Sequence, residues 1–149
     1  LLSRLDLAGR VMRDTLRLHP AGVFGLREAM EDVEAGGYRI SRGTMILWSP
    51  HLSGRDPGAR PDPLRFDPAR FVDAAADWSL SSSGAWAPFG GGARNCVGFA
   101  IAQTELTLEI SRIAQRLDVE PARDTVPGPV GMVVNRPEGG VPMRVSPRH

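Results

Sequence analysis

Pro88-Phe89-Gly90-Gly91-Gly92-Ala93-Arg94-Asn95-Cys96-Val97-Gly98 decides the fold of this chain, because it sets a lone cysteine immediately before the chain's longest helical pattern. The first turn of a helix carries unsatisfied N–H groups and partial positive charge, which suit a negatively charged sulfur and can donate hydrogen bonds to it. Such bonds tune the potential of a metal held by that sulfur. Gly92 and Gly98 allow positive φ and leave no side chain where a flat ligand must approach the backbone. Arg94 offers a planar fork for a carboxylate. A phosphate cradle is disfavoured, since Gly90-Gly91-Gly92 is not followed by Lys-Ser or Lys-Thr. Cys96 is the only cysteine, so it is inert core, a reactive thiol or a lone metal ligand, and no internal disulfide is possible.

Downstream, Phe99, Ala102, Leu106, Ile110, Ile113 and Leu117 recur at helical spacing and predict one continuous buried stripe. The tail carries Met132-Val133-Val134 and Val141-Pro142-Met143-Arg144-Val145 around Glu138-Gly139-Gly140, which reads as a pair of strands. Upstream, Asp6 is placed to cap a helix running to about Leu18, with apolar rows Leu5, Ala8, Met12, Leu16 and Leu7, Val11, Leu18, ended by Pro20. Asp14 falls in the second row. A carboxylate there is costly unless paired, and Arg17 stands one turn later, where an i,i+3 pair can form. From Gly36 to Trp48 the pattern changes to β-formers, Tyr38-Arg39-Ile40 and Thr44-Met45-Ile46-Leu47-Trp48 about a Ser41-Arg42-Gly43 turn, and predicts a hairpin. Residues 50–71, rich in proline and aspartate, read as an ordered meander. A small-residue stretch, Ser79 to Ala87, leads into the cysteine loop.

The 149 residues are 42% hydrophobic and 23% charged, ordinary values for one soluble globular domain. A formal net charge of +1 gives no reason to expect a nucleic-acid partner or an anionic membrane surface. All 18 basic residues are arginine, which reads as a bacterial, GC-rich coding bias. No apolar run approaches the ~20 residues that span a bilayer, and no signal peptide opens the chain. The first residue is Leu1, already in a helical approach, so the chain is expected to be a piece of something longer.

Phe89, Gly92, Arg94, Cys96, Gly98, Ala102 and Glu105 together fit the pattern Phe-x-x-Gly-x-Arg-x-Cys-x-Gly-x-x-x-Ala-x-x-Glu, which resembles the haem-ligand signature of the cytochromes P450. Three further regions are similar to that family in the expected order. Asp14-Thr15-Leu16-Arg17 resembles its Glu-x-x-Arg helix, with aspartate in place of glutamate. Phe66-Asp67-Pro68-Ala69-Arg70-Phe71 resembles the segment whose arginine joins that pair, which implies a buried triad of Asp14, Arg17 and Arg70. The stretch from Leu26 to Gly37 resembles the strand in which an arginine, here Arg27, reaches a haem propionate. Ser49-Pro50-His51 and Arg55-Asp56-Pro57 are similar to the segment after the hairpin, but Gly54 stands where histidine is common.

The resemblance implies a mainly α fold with small β-sheets, the C-terminal part of the P450 fold, with residues 1–149 as a single partial domain. It implies haem b, held by Cys96 through iron, with Arg94, Arg27, Phe89, Gly92 and Gly98 about the cofactor. Val23, Phe24 and the tail turn near Pro129 to Val133 would face substrate. The implied activity is that of a haem-thiolate monooxygenase, the O2-dependent hydroxylation of a small hydrophobic substrate with electrons from a ferredoxin or flavin reductase docked on the cysteine side. No counterpart of the family's long central helix is present, so the chain alone is expected not to run a normal catalytic cycle. The alternative is an inactive truncated remnant that binds haem weakly or not at all. The expected localisation is the bacterial cytoplasm, with an N-terminal anchor left open.

Overall fold

The computed structural model describes residues 5–72, 86–131 and 133–149. Of the stretch Ser79 to Ala87, all but Trp86 and Ala87 lies outside these residues, as does Met132. The first helix, α1 (Asp6–Leu18), occupies the expected span. Its N-cap is Leu5 rather than Asp6, with no side-chain cap; Asp6 is instead the first helical residue and pairs with Arg10 at 3.0 Å. An acidic side chain in the first turn complements the helix dipole from inside the helix, so the expected capping role is not needed for the helix to start there.

Four strands follow: β1 (Gly25–Glu28), β2 (Val33–Ala35), β3 (Tyr38–Ile40) and β4 (Met45–Trp48). The expected hairpin of β3 with β4 does not form. β2 pairs with β3 around Gly36-Gly37, and β1 pairs with β4 outside them, with Gly25 opposite Trp48 and Arg27 opposite Ile46. Gly36 and Gly37 both have positive φ, 58° and 79°, the geometry that two-residue hairpins favour, so the tight turn lies there. Asp32 locks the nest by accepting hydrogen bonds from the Arg39 guanidinium at 2.7 Å and the Arg42 amide at 2.9 Å. Both bonds hold its carboxyl below the usual range, the Arg39 bond most.

The meander contains one helical turn, α2 (Pro50–Ser53), capped by the Ser49 hydroxyl, and a 3-10 turn at Pro68–Phe71 capped by Asp67. Proline at the start of each turn has no N–H to leave unpaired. The long helix, α3 (Phe99–Arg116), runs as expected, but its stripe is only half-covered and Ile113 is 48% exposed. The buried residues of α3 are Gln103 and Thr107, one helical face over, and α1 lies against Ile110, Ser111 and Ala114.

The tail departs further from expectation. Met143–Pro147 is a strand, β8, but it pairs with β5 (Leu117–Pro121), while short β6 (Pro129–Val130) pairs with β7 (Arg136–Pro137). Val134 makes only an isolated bridge, to Gly22. Arg148 ties this end to α3, donating to Asp118 Oδ1 at 2.8 Å and to the Ala114 carbonyl at 2.6 Å. All sheets among the described residues are two-stranded and antiparallel. The buried apolar residues are Met12, Leu18, Ala29, Phe71 and Trp86, so the core lies between α1, the Pro68–Phe71 turn and the approach to the cysteine loop.

Candidate haem-thiolate site

The last turns of α1 hold a buried ion pair. Arg17 Nε donates to Asp14 Oδ1 at 2.6 Å with both side chains fully buried. Every other polar edge of the pair is satisfied by backbone: Arg17 donates to the carbonyls of Gly54 (2.8 Å), Pro63 and Arg65 (2.9 Å), and Asp14 Oδ2 accepts from the Asp67 amide at 2.5 Å. Arg70 is not a third member. Its guanidinium donates to the carbonyls of Pro61 at 2.6 Å and Asp62 at 2.7 Å. The Pro61 and Asp62 carbonyls hold the Arg70 guanidinium, while the short Asp14 side chain, one methylene less than glutamate, is engaged by Arg17 and the Asp67 amide. The expected triad is therefore a pair that staples residues 54–67 to α1.

An aromatic relay carries this core to the loop. Trp86 donates from Nε1 to the Arg13 carbonyl at 3.0 Å, and its ring meets Phe71 and Phe89 edge-on at centroid distances of 6.2 and 6.4 Å. Phe89 thus sits against the core. The loop then folds back on itself: the Cys96 amide donates to the Phe89 carbonyl at 2.9 Å, and Gly92–Arg94 forms a 3-10 turn whose end is held by the Asn95 amide on the Gly92 carbonyl. Gly90 and Gly92 have φ of +79° and +67°, where a Cβ is strained.

Cys96 is exposed, and Val97 beside it is 100% exposed. Gly98 caps α3, and a Cβ there would stand 4.0 Å from the Cys96 sulfur, an ordinary contact. Gly98 has φ −85°, so the positive φ open to a glycine there is not used, and the chain's own packing does not require glycine at 98. Among the described residues the amides of Val97 and Gly98 make no backbone hydrogen bond, leaving two donors beside the thiol. No group of three or more His, Cys, Asp or Glu gathers to hold a metal ion among the described residues. Arg94 is exposed on the same loop.

Trp48, read in the sequence only as a strand residue, links Arg27 to the loop. Its indole lies so close over Gly25 that a Cβ would come within 2.5 Å of the ring, and the same ring reaches Gly90, where a Cβ would lie 3.6 Å away. The Arg27 guanidinium stands over that ring at 5.8 Å and otherwise donates to the Leu26 carbonyl. The glycine opposite Trp48 in the β1–β4 register is the signal that could have found this contact. Val23 and Phe24 are half-buried, and the Ser49 hydroxyl donates to the Val23 carbonyl at 2.6 Å. The tail reaches the same segment: Val134 bridges Gly22, and the Asn135 amide donates to the Ala21 carbonyl at 2.7 Å.

The family model for cytochrome P450 matches residues 1–141. The chain belongs to the cytochrome P450 family. Among its relatives, the probable cytochrome P450 4s3 of Drosophila melanogaster is 33% identical over 138 residues, covering 93% of this chain and 27% of the relative. Cyclooctatin synthase of Streptomyces melanosporofaciens is 37% identical over 122 residues, 82% of this chain and 26% of that one. The solved structure of retinoic acid-bound cyanobacterial CYP120A1 superposes with a TM-score of 0.85 at 28% identity, covering 99% of this chain and 34% of that one. The chain thus spans about a quarter of the length of the curated P450s it matches, and its fold is that part of the P450 fold. No helix among the described residues is long and apolar enough to cross a membrane.

Proposed function

We propose that this chain supplies the thiolate side of a haem-thiolate monooxygenase, with Cys96 as the axial ligand of haem b. The observation that carries the reading is an exposed cysteine on a loop closed by its own amide onto Phe89, ahead of a helix whose glycine cap leaves the sulfur uncovered. Arg94 on the loop and Arg27, linked to it through Trp48, are the groups that would meet the propionates. Haem held by thiolate supplies activated dioxygen, and the thiolate favours O–O cleavage. The chain's part is to hold and orient: the Gly92 turn fixes the ligand loop, the Asp14–Arg17 pair keeps the base of the site rigid, and Val23 and Phe24 with the tail turn limit the substrate to a small hydrophobic molecule. Electrons would enter from a ferredoxin or flavin reductase on the exposed cysteine face. The partial domain formed by residues 1–149 is the proximal portion of such an enzyme.

The reduced, carbon monoxide-bound form should show the strongly red-shifted Soret band of thiolate ligation. Cys96→Ser should abolish that band, whereas Arg123→Ala should leave it unchanged. A band that survives Cys96→Ser would remove Cys96 as the ligand.

A further inference from the structure

We propose that the cleft between the C-terminal end of α1, the start of the meander and the tail strands is a binding site for an organic carboxylate carried on an apolar body. The cleft encloses about 900 Å³ and is lined by residues of α1, of the meander and of the tail, but by none of the cysteine loop and by neither Val23 nor Phe24. It meets the candidate haem site only at Pro129, the first residue of the tail turn, and the proposal does not depend on haem. A volume of this size is within the roughly 300–1,000 Å³ of small-molecule sites.

Two features of its wall point to the ligand. Pro121, Pro127, Pro129, Val141 and Met143 give it an apolar body, flat enough in its prolines for a ring or chain to lie against. Its charge is one-sided: four arginines, Arg55, Arg123, Arg136 and Arg144, face two carboxylates, Glu120 and Asp124. Only Arg144 has a carboxylate partner among the described residues, Glu120 at a loose 3.8 Å. Arg55 is the anchor. It is half-buried, donates to His51 Nδ1 at 3.0 Å and to the His51 carbonyl, and has no carboxylate opposite it. A guanidinium can only donate, so His51 Nδ1 must accept, which fixes the neutral tautomer with its proton on Nε2. That places a ring N–H donor beside an uncompensated guanidinium, the pairing that a carboxylate takes up. The local field agrees in sign: burial and then Arg55 hold His19 below the ordinary histidine value, and burial, Arg55 and His19 do the same to His51.

Calorimetric titration of the full chain with 2-naphthoate and with its neutral counterpart 2-naphthamide tests the site. Naphthoate should bind saturably at one-to-one stoichiometry, and naphthamide about ten-fold more weakly, the loss expected for one charge-assisted contact. Arg55→Gln, and separately the exposed Arg136→Gln, should weaken naphthoate several-fold and leave naphthamide unchanged, while Cys96→Ser should change neither. Chemical-shift changes at His19 and His51 on naphthoate binding would locate it. Equal affinity for the two compounds, or naphthoate affinity unaltered in both arginine variants, would overturn the proposal. So would binding that is lost in a longer protein containing this chain, because the cleft would then be a seam filled by polypeptide.

Discussion

At the scale of single residues, the question that decides the most free energy is what holds Asp14 in a dry interior. Its two oxygens meet one guanidinium and one amide, and Arg17 also donates to three carbonyls of the meander. A buried pair so satisfied is not a large net gain over apolar residues, but breaking it leaves a lone charge in the core. Arg17→Met should therefore destabilise the chain by about 3–5 kcal/mol in urea unfolding, with Asp14 left unpaired. Arg70→Ala removes only bonds to the Pro61 and Asp62 carbonyls, and should cost about 0.5–1.5 kcal/mol. A double-mutant cycle between Asp14 and Arg70 should give a coupling near zero, whereas a closed triad would couple them strongly. The Asp14–Arg17 spacing was legible in the sequence because an i,i+3 pair is local. Arg70's real partners were not, because backbone carbonyls of an irregular segment leave no trace in composition or periodicity.

At the scale of elements, legibility followed the range of the contacts. α1 and α3 could be read because apolar spacing is written along one stretch of chain. Strand pairing could not: Tyr38–Ile40 and Met45–Trp48 are adjacent strands with turn residues between them, yet each pairs with an earlier strand that carried no strong period-2 signal of its own. The cysteine loop was legible residue by residue, but its attachment to β4 through Trp48 was not, since Trp48 and Gly90 are far apart along the chain and the indole's position depends on the missing Cβ of Gly25. The attachment makes a specific demand. A methyl at Gly25 would lie 2.5 Å from the indole, and the strand backbone gives it little room to escape. Gly25→Ala should cost about 1–3 kcal/mol as an overpacked site, and should also loosen the loop. Its separate mark is a shift in Trp48 fluorescence that Gly22→Ala, with nothing within 4 Å of the added methyl, does not produce. Equal effects from the two would detach Trp48 from this role.

At the scale of the whole molecule, two properties set how the chain behaves in solution. The first is pH. His19 and His51 both hold their protons less tightly folded than unfolded, chiefly through burial. The unfolded chain therefore binds more protons once the pH drops below the ordinary value of 6.5, so folded-state stability is complete above that pH and falls as the pH is lowered through it. A Tm measured down from neutral pH should drop through this window, and the drop should shrink in a His19→Gln, His51→Gln double variant. The second property is surface. The chain exposes 10552 Å², against about 7,400 Å² expected for a free-standing monomer of its mass. Much of the excess is apolar: Leu26, Met30, Met45, Leu47, Leu52, Leu64 and Val97 all face outward, while among the described residues the buried hydrophobic side chains are few, Met12, Leu18, Ala29, Phe71 and Trp86. Surface already exposed in the folded state cannot be newly exposed by unfolding, and the slope of stability against denaturant scales with newly exposed surface. The chain by itself should therefore unfold in urea with a shallower slope than a compact domain of 149 residues, and should bind a hydrophobic dye such as anilinonaphthalene sulfonate before any denaturant is added. A steep, cooperative transition with no dye binding would mean that these apolar side chains are covered in solution.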